Sequence, residues 1–360
     1  MPKKIAFIGP LPPPVGGVAL ANLRVQDIIS RKASNYTIIN FNTSKQSVNA
    51  DLYKRKGFME LAHFFKNVFE LIGFVFKHKI DIANVFVVPN ISFIREAIFI
   101  LILKIASKKL VVHLHAKTEG DLFLHGFKLK IFTKIVGLGD IIYVLSEKYH
   151  RAFYAKYIRP KKLVVLENFI DYSEFQNNII NKENHFLYVG RLSEKKGFET
   201  LVDALILAGK PLKDLKIEVL GAFENAEFEE RMKSKINDNN LVNFIFHGPQ
   251  MGEAKFHYFK KCSVFIFPSY FENSPIVLKE AIAAKMAIIA SDIIENKNML
   301  DTFNNKVYFK QKDAVDLASK LIMLHQDKKL VLEMMKQSER IKQYDIPFAE
   351  EIILKSLELK

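Results

Sequence analysis

The densest chemistry in this sequence lies in one stretch, FPSYFENSPIVLKEA, from Phe267 to Ala281. Ser274 is a favoured helix N-cap type and Pro275 suits the first helical position, so the spacing predicts a helix starting there. The amides of Ile276 and Val277 then lie at the positive end of that helix without intrahelical acceptors. Glu272 stands just ahead of the helix start, and Glu280 follows about one turn into it. One carboxylate could accept from sugar hydroxyls and the other from a ribose, with the first-turn amides holding a phosphate between them. The plainer alternative is a pair of exposed glutamates flanking a helix start.

Three further segments carry candidate ligand groups. In VGRLSEKKG (Val189–Gly197), Arg191 leaves a strand end and Lys196 stands five residues later, just before a helix. A guanidinium fork and an ammonium at one helix N-terminus would clamp a diphosphate; basic loop residues are also commonly just solvated. In GPLPPPVGGV (Gly9–Val18), prolines stiffen the loop, and Gly16 and Gly17 let a ligand approach the backbone before a helix that begins at about Val18. The pattern is not G-x-G-x-x-G, which disfavours a nicotinamide dinucleotide, and a tight turn without a ligand is the alternative. In VVHLHA, alternation puts His113 and His115 on one sheet face, with His115 nearer the strand end. A His-x-His pair can ligate metal, but no third ligand can be nominated, and His113 reads as a satisfied core histidine.

These segments have to be presented at strand ends, and the hydrophobic pattern supplies the strands. Short apolar runs recur in the first half as KIAFIG (Lys4–Gly9), ANVFVV (Ala83–Val88), LVVHLH (Leu110–His115), DIIYVL (Asp140–Leu145) and LVVL (Leu163–Leu166). The second half has FLYVG (Phe186–Gly190), LKIEVLG (Leu215–Gly221), VNFIFHG (Val242–Gly248), SVFIFP (Ser263–Pro268) and AIIA (Ala287–Ala290). Continuous apolar runs suit parallel strands covered on both faces, with stretches such as Gly197–Leu207 and Pro275–Ala284 as the intervening helices. The expected fold class is α/β, two doubly wound domains that bind ligands beyond the carboxyl ends of their strands. The boundary falls in the polar, Asn-rich stretch near Asn168–Glu183, which gives domains 1–170 and 171–340. A final segment, 341–360, carries Pro347 and then a helical pattern of Ile352, Ile353, Leu357 and Leu359.

The 360 residues are 49% hydrophobic and 26% charged, enough apolar material for a sizeable core and against disorder. Cys262 stands alone, which excludes a disulfide framework. No N-terminal apolar stretch precedes a small-residue cleavage site, so secretion is not expected. The net charge of +14 is unevenly placed: residues 1–170 hold 26 Lys/Arg against 11 Asp/Glu, whereas residues 171–360 hold 27 against 28. A basic half joined to a neutral one points to an anionic partner, whether a membrane surface, a nucleic acid or a phosphorylated substrate.

Together and in this order, the Gly16-Gly17 loop, the histidine strand end, GRLSEKKG and Glu272-x7-Glu280 resemble the GT-B glycosyltransferases, specifically the large retaining family 4. The resemblance covers nearly the whole chain. It implies two Rossmann-like domains facing across a cleft, with the terminal helix after Pro347 crossing back onto the first. It implies a nucleotide-sugar donor mainly on the second domain and an acceptor, lipid-linked or glycan, on the first. Arg191 and Lys196 would neutralise the leaving diphosphate, aided by the Ile276 and Val277 amides. Glu272 would hold the donor sugar, Glu280 the ribose, Gly16 and Gly17 would approach the phosphates, and His115 would contact the donor sugar near the reacting carbon. Fixed cations and helix amides stabilise such a leaving group, so no metal or other cofactor is expected, and the chain has no Asp-x-Asp motif. The family often has EGFG where this chain has Glu272-Asn273-Ser274-Pro275, and a Gly and a Pro at Lys285 and Ala287. Its further glycine pair is replaced within Ser291–Glu295.

The excess charge also has a local pattern. Lys54–Lys79 is basic at both ends, with Phe58, Leu61, Phe65, Phe69, Ile72 and Phe76 in one helical stripe and Glu60, His63, Asn67, Glu70 and Lys77 opposite. This is either an interfacial helix drawn to an anionic membrane or a helix whose stripe packs on the first sheet, with Phe64 and Phe74 presented outward. Phe93–Lys109 is too short and too charged to span a bilayer. The expected setting is therefore cytoplasmic and peripheral on the inner face of the membrane, in bacterial cell-surface polysaccharide or glycolipid assembly. A GT-B sugar-nucleotide epimerase is the rival enzyme, which the Glu-x7-Glu segment disfavours. A basic nucleic-acid-binding protein is the rival of another class; no recognised nucleic-acid module accompanies the charge, so no nucleic-acid partner is expected.

Overall fold

The computed structural model describes residues 2–12, 16–44, 58–90, 92–115, 125–175, 182–336 and 342–359, with backbone only for 58–63. Pro13, Pro14 and Val15, the basic residues Lys54–Lys56, and the side chains of Phe58, Glu60, Leu61 and His63 lie outside this set. The chain forms two compact units, residues 1–169 with 346–360, and residues 170–345.

Unit one is a βα succession: β1 (Lys3–Gly9), α1 (Gly17–Lys32), β2 (Tyr36–Asn42), α2 (Phe58–Lys77), β3 (Ile80–Val87), α3 (Phe93–Ala106) and β4 (Ser107–Leu114). It continues with α4 (Gly126–Val136), β5 (Ile141–Val144), the single turn α5 (Ala152–Tyr154) and β6 (Leu163–Val165). Its six strands are parallel in the order β2-β1-β3-β4-β5-β6. The apolar runs alternate between two cores, as strands buried on both faces must. Ala6, Ile8, Val85, Val112 and Ile142 face α2, α3 and α4. Ile5, Phe7, Phe86, Val111 and Tyr143 face α1 and the terminal helix, which presents Ala349, Ile353 and Leu357.

Unit two runs β7 (Glu183–Val189), α6 (Phe198–Ala208), β8 (Lys216–Leu220), α7 (Ala226–Asp238), β9 (Phe244–Gly248), α8 (Gly252–Lys261) and β10 (Cys262–Phe267). There follow α9 (Ile276–Ala283), β11 (Ala287–Ser291), α10 (Ile294–Leu300), β12 (Lys306–Phe309), α11 (Ala314–Gln326) and α12 (Lys328–Lys336), after which α13 (Ile346–Leu357) belongs to unit one. The parallel order is β12-β11-β10-β7-β8-β9. The chain winds outward from β7 to β9, then returns to β10 on the other side of β7. That reversal creates a crevice outside the carboxyl ends of β7 and β10, the usual ligand position in such sheets. In unit one the corresponding reversal falls between β1 and β3.

Four local expectations need correction. The apolar runs omit two edge strands, β2, whose Thr37, Asn40 and Asn42 interrupt it, and the short, partly exposed β12, although the other two edges, β6 and β9, do carry such runs. Helix α1 begins at Gly17, with Gly16 as an extended N-cap, so both glycines belong to the helix start. The N-cap of α9 is Pro275, and Ser274 instead accepts a hydrogen bond from Lys279 Nζ at 3.1 Å. Finally, the described part of the α2 stripe points away from the sheet: Phe65, Phe69 and Phe76 are exposed, whereas Asn67 and Leu71 are buried and Phe74 packs edge-on against Phe41. Helix α2 is apolar on two faces, and the sheet accommodates only one of them.

Candidate functional site

The crevice of unit two is built by two loops tied to each other. The loop after β7 turns at Gly197, whose φ of +70° is left-handed and whose added Cβ would stand 1.9 Å from the carbonyl oxygen of Pro268 in the loop after β10. Only glycine fits there, both by conformation and by space. The Tyr270 amide donates to the Lys195 carbonyl at 2.9 Å, and the Tyr188 hydroxyl donates to the carbonyls of Arg191 and Lys196 at 3.0 and 3.3 Å. Burial pushes the Tyr188 phenol up, so it stays a proton donor. These bonds fix the backbone on which the candidate side chains stand.

On that backbone Lys196 and Glu272 come together. Lys196 Nζ donates to Glu272 Oε1 at 2.6 Å, and the Ser269 hydroxyl donates to the same oxygen at 2.6 Å. Glu272 is buried, Lys196 partly exposed, and Arg191, on the same loop, is exposed. Behind Glu272, Ser291 Oγ donates to the Ser269 carbonyl, and Asn296 holds both the hydroxyl and the carbonyl of Ser291. A carboxylate, an ammonium and a guanidinium thus border one crevice.

Helix α9 starts at the same place. Ile276 and Val277 occupy its first two positions, so their amides have no acceptor within the helix and carry its positive end. Glu280 is fully buried and accepts from Lys255 Nζ of α8 at 2.6 Å. Lys279, also fully buried, bonds Ser274 and lies 3.9 Å from the Tyr344 ring centre, anchoring the segment before the helix.

In unit one the predicted residues lie at the carboxyl edge of the sheet. Gly16 and Gly17 are exposed, and added Cβ atoms would meet nothing within 4 Å, which leaves the start of α1 open to approach. His113 and His115 share one face, as alternation requires, and both stack on Phe86, at 4.3 and 5.8 Å between ring centres. His113 Nε2 is hydrogen-bonded to Asn84 Oδ1 at 3.0 Å, the satisfied core histidine of the sequence reading. His115, at the strand end, is buried; burial and then the nearby His150 push its imidazole down to about 4, so it is neutral at pH 7.

Sequence reasoning missed Ser146 and His150. They follow β5 in a π-helical turn, Glu147–Arg151, a conformation found frequently at functional sites. Ser146 Oγ accepts the His150 amide at 3.2 Å and pairs with His150 Nδ1 at 2.7 Å. The signal was there in SEKYH directly after a strand, a Ser and a His four residues apart. Glu96 was also missed. Buried in the first turn of α3, it accepts from the Val88 amide at 3.1 Å, and burial raises its carboxyl to about 7.

Residues 170–344 match the family model for glycosyl transferases group 1. The capsular polysaccharide biosynthesis glycosyltransferase CapH of Staphylococcus aureus is 28% identical over 171 residues, 47% of this chain and 47% of that protein. The N-acetylgalactosamine-N,N'-diacetylbacillosaminyl-diphospho-undecaprenol 4-alpha-N-acetylgalactosaminyltransferase of Campylobacter jejuni is 28% identical over 148 residues, 38% of this chain and 36% of that protein. The chain thus spans about half the length, or less, of the curated relatives it matches. The crystal structure of Anabaena HepE in complex with UDP and glucose superposes with a TM-score of 0.75 over 99% of both chains, at 15% identity. With its two parallel six-stranded α/β sheets, the chain has the GT-B fold.

Proposed function

We propose that this chain is a glycosyltransferase of group 1 that moves a sugar from a nucleotide-sugar donor to a lipid-linked or glycan acceptor. The observation that carries this reading is the crevice at β7 and β10, inside the segment matching the family model. There Arg191, Lys196, Glu272 and the first amides of α9 are gathered on loops with a fixed backbone. Cleaving a sugar–phosphate bond develops negative charge on the diphosphate, and preorganised cations and amides stabilise that charge without rearrangement. A diphosphate would draw Lys196 from Glu272, leaving the carboxylate to accept from sugar hydroxyls, while Glu280 serves the ribose. The charge is met by protein groups alone in this reading, so transfer is metal-independent. Retention of anomeric configuration follows the resemblance to family 4.

In unit one, Gly16, Gly17 and His115 keep the donor-side roles that the resemblance implies, with His115 acting as a neutral imidazole. The CapH and Campylobacter relatives, named for capsular and undecaprenyl-linked substrates, support a role in bacterial surface-glycan assembly.

A thermal-shift panel of UDP-, GDP-, ADP- and CDP-sugars tests the donor class, since a ligand bound only by the folded state raises its melting temperature. One nucleotide is expected to stabilise the protein, and turnover with it to survive EDTA. Lys196→Ala and Glu272→Ala should each lower kcat by about a hundredfold or more, with the fold intact. No shift with any of the four nucleotides, or unchanged turnover in either variant, would refute the assignment.

A further inference from the structure

The outer surface of helices α2, α3 and α4 differs from the rest of unit one. The three helices pack side by side, and their inward residues, among them Leu71, Phe99, Leu103 and Phe132, cover one face of the sheet. Their outward residues are apolar as well. Phe69 is 70% exposed, Phe76 87%, Ile105 91% and Phe127 75%. Of eleven large hydrophobic residues exposed among the described residues of unit one, eight lie on these helices. Single exposed apolar side chains are ordinary; a helical layer that collects them is a binding surface.

The charges on the same layer select the partner. Helix α4 carries Lys128, Lys130 and Lys134 and no acid. Lys77 ends α2 and Lys79 follows it. Nearby acids are already paired: Asp140 with Lys104 at 2.6 Å, Asp81 with Lys108 at 2.8 Å and Glu70 with Lys66 at 3.7 Å. Among the described residues, Lys77, Lys79, Lys128, Lys130 and Lys134 form no ion pair. A broad apolar layer fringed by uncompensated lysines matches a surface with anionic headgroups above hydrocarbon.

We propose that the outer face of α2–α4 docks on an anionic phospholipid bilayer, with Phe69, Phe76, Ile105 and Phe127 entering the interfacial zone and the lysines meeting headgroup phosphates. No described helix is long and apolar enough to cross a membrane, so the contact is lateral. The layer runs the full depth of the sheet. Helices α2 and α3 end beside the amino ends of β3 and β4, and α3 and α4 begin towards the carboxyl edge that carries Gly16, Gly17 and His115. A bilayer lying flat on the layer runs parallel to the sheet and meets the loops of its carboxyl edge, over which a lipid-linked acceptor would reach α1 and His115 on the opposite face. That last consequence rests on the proposed transferase reading; the docking surface does not.

The test is co-sedimentation of the full chain with vesicles of phosphatidylcholine plus phosphatidylglycerol, and with phosphatidylcholine alone, at low and at raised salt. Binding is expected to the mixed vesicles only, weakening with salt. The double variant Phe76→Glu, Ile105→Glu should lower binding at least about tenfold, and Lys128→Glu with Lys134→Glu about fivefold per charge. Both variants should keep the parent's melting temperature and its nucleotide-sugar shift, which separates lost docking from lost fold or lost donor site. The proposal is overturned if the parent ignores anionic vesicles, or if neither variant weakens binding. It is also overturned if the parent instead forms a dimer that the Phe76 variant breaks. Vesicle binding without any nucleotide-sugar shift would leave the docking surface standing and remove the transferase reading.

Discussion

Glu272 accepts from both Lys196 and Ser269, so two donors orient its carboxyl group before any sugar is considered. His115 shows the opposite logic, since burial beside Phe86 and His150 keeps it uncharged down to a pH of about 4. Its folded-state value lies below the unfolded value of 6.5, so between the two only the unfolded chain takes up the proton. The stability that follows is full above a pH of about 6.5 and is lost as pH falls towards about 4. Urea midpoints measured across that interval should decline, and His115→Gln should flatten the decline. His113, lowered by burial as well, sustains the remainder. A decline of equal steepness in His115→Gln would show that His115 is not held neutral. At this scale, Arg191, Lys196 and Glu272 were legible because their spacing places them on the exits of two strands. The Ser146–His150 spacing was there to be read, but its significance depends on a π-turn and on a neighbour, His115, that is distant in sequence.

Helix α9 brings together two roles that can be separated by one substitution. Its first-turn amides are proposed to hold phosphate, whereas its side chains Leu278 and Ile282 are buried in the unit. Proline at Ile276 would remove one amide hydrogen where helices tolerate proline, and Pro275 ahead of it already has the extended ψ of 115° that a following proline favours. Ile276→Pro should therefore keep its circular dichroism while weakening, about tenfold or more, the binding of whichever nucleotide stabilises the parent, the loss expected for one hydrogen bond to a charged group. Unchanged affinity by calorimetry would remove that amide from the site. The interior strands were readable as apolar runs because they are covered on both faces. Of the four edges, β6 and β9 were readable too, but β2, interrupted by polar residues, and the short β12 were not. The inward face of α2 was not either, because a helix apolar on two sides does not declare which one the sheet takes.

Across the whole molecule, charge and chemistry are divided between the two units. The basic excess lies in residues 1–170, with Lys128, Lys130 and Lys134 of α4 a part of it, while the near-neutral remainder carries the donor candidates in a few placed groups. Hydrogen exchange can test the division: a nucleotide sugar should slow the amides of 191–197 and 276–278 most, and leave the centres of β3 and β4 unchanged. Stronger protection in β3 and β4 than in those two segments would move the donor site to unit one. The two-unit α/β plan was legible because strands and helices alternate through both halves; the strand order that locates each crevice was not, because nothing local in the chain encodes which side of β7 receives β10.

Gly197 has a consequence for how this chain could change its specificity. With its Cα against the Pro268 carbonyl, and with Tyr270 bonded to Lys195, the two crevice loops are locked in register with one another. An inserted or deleted residue in either loop would break that register and misplace Lys196 and Glu272 together. Divergence towards a new sugar is therefore channelled into side-chain replacement on loops of constant length, at positions such as Asn273, where the chain already differs from the pattern it resembles.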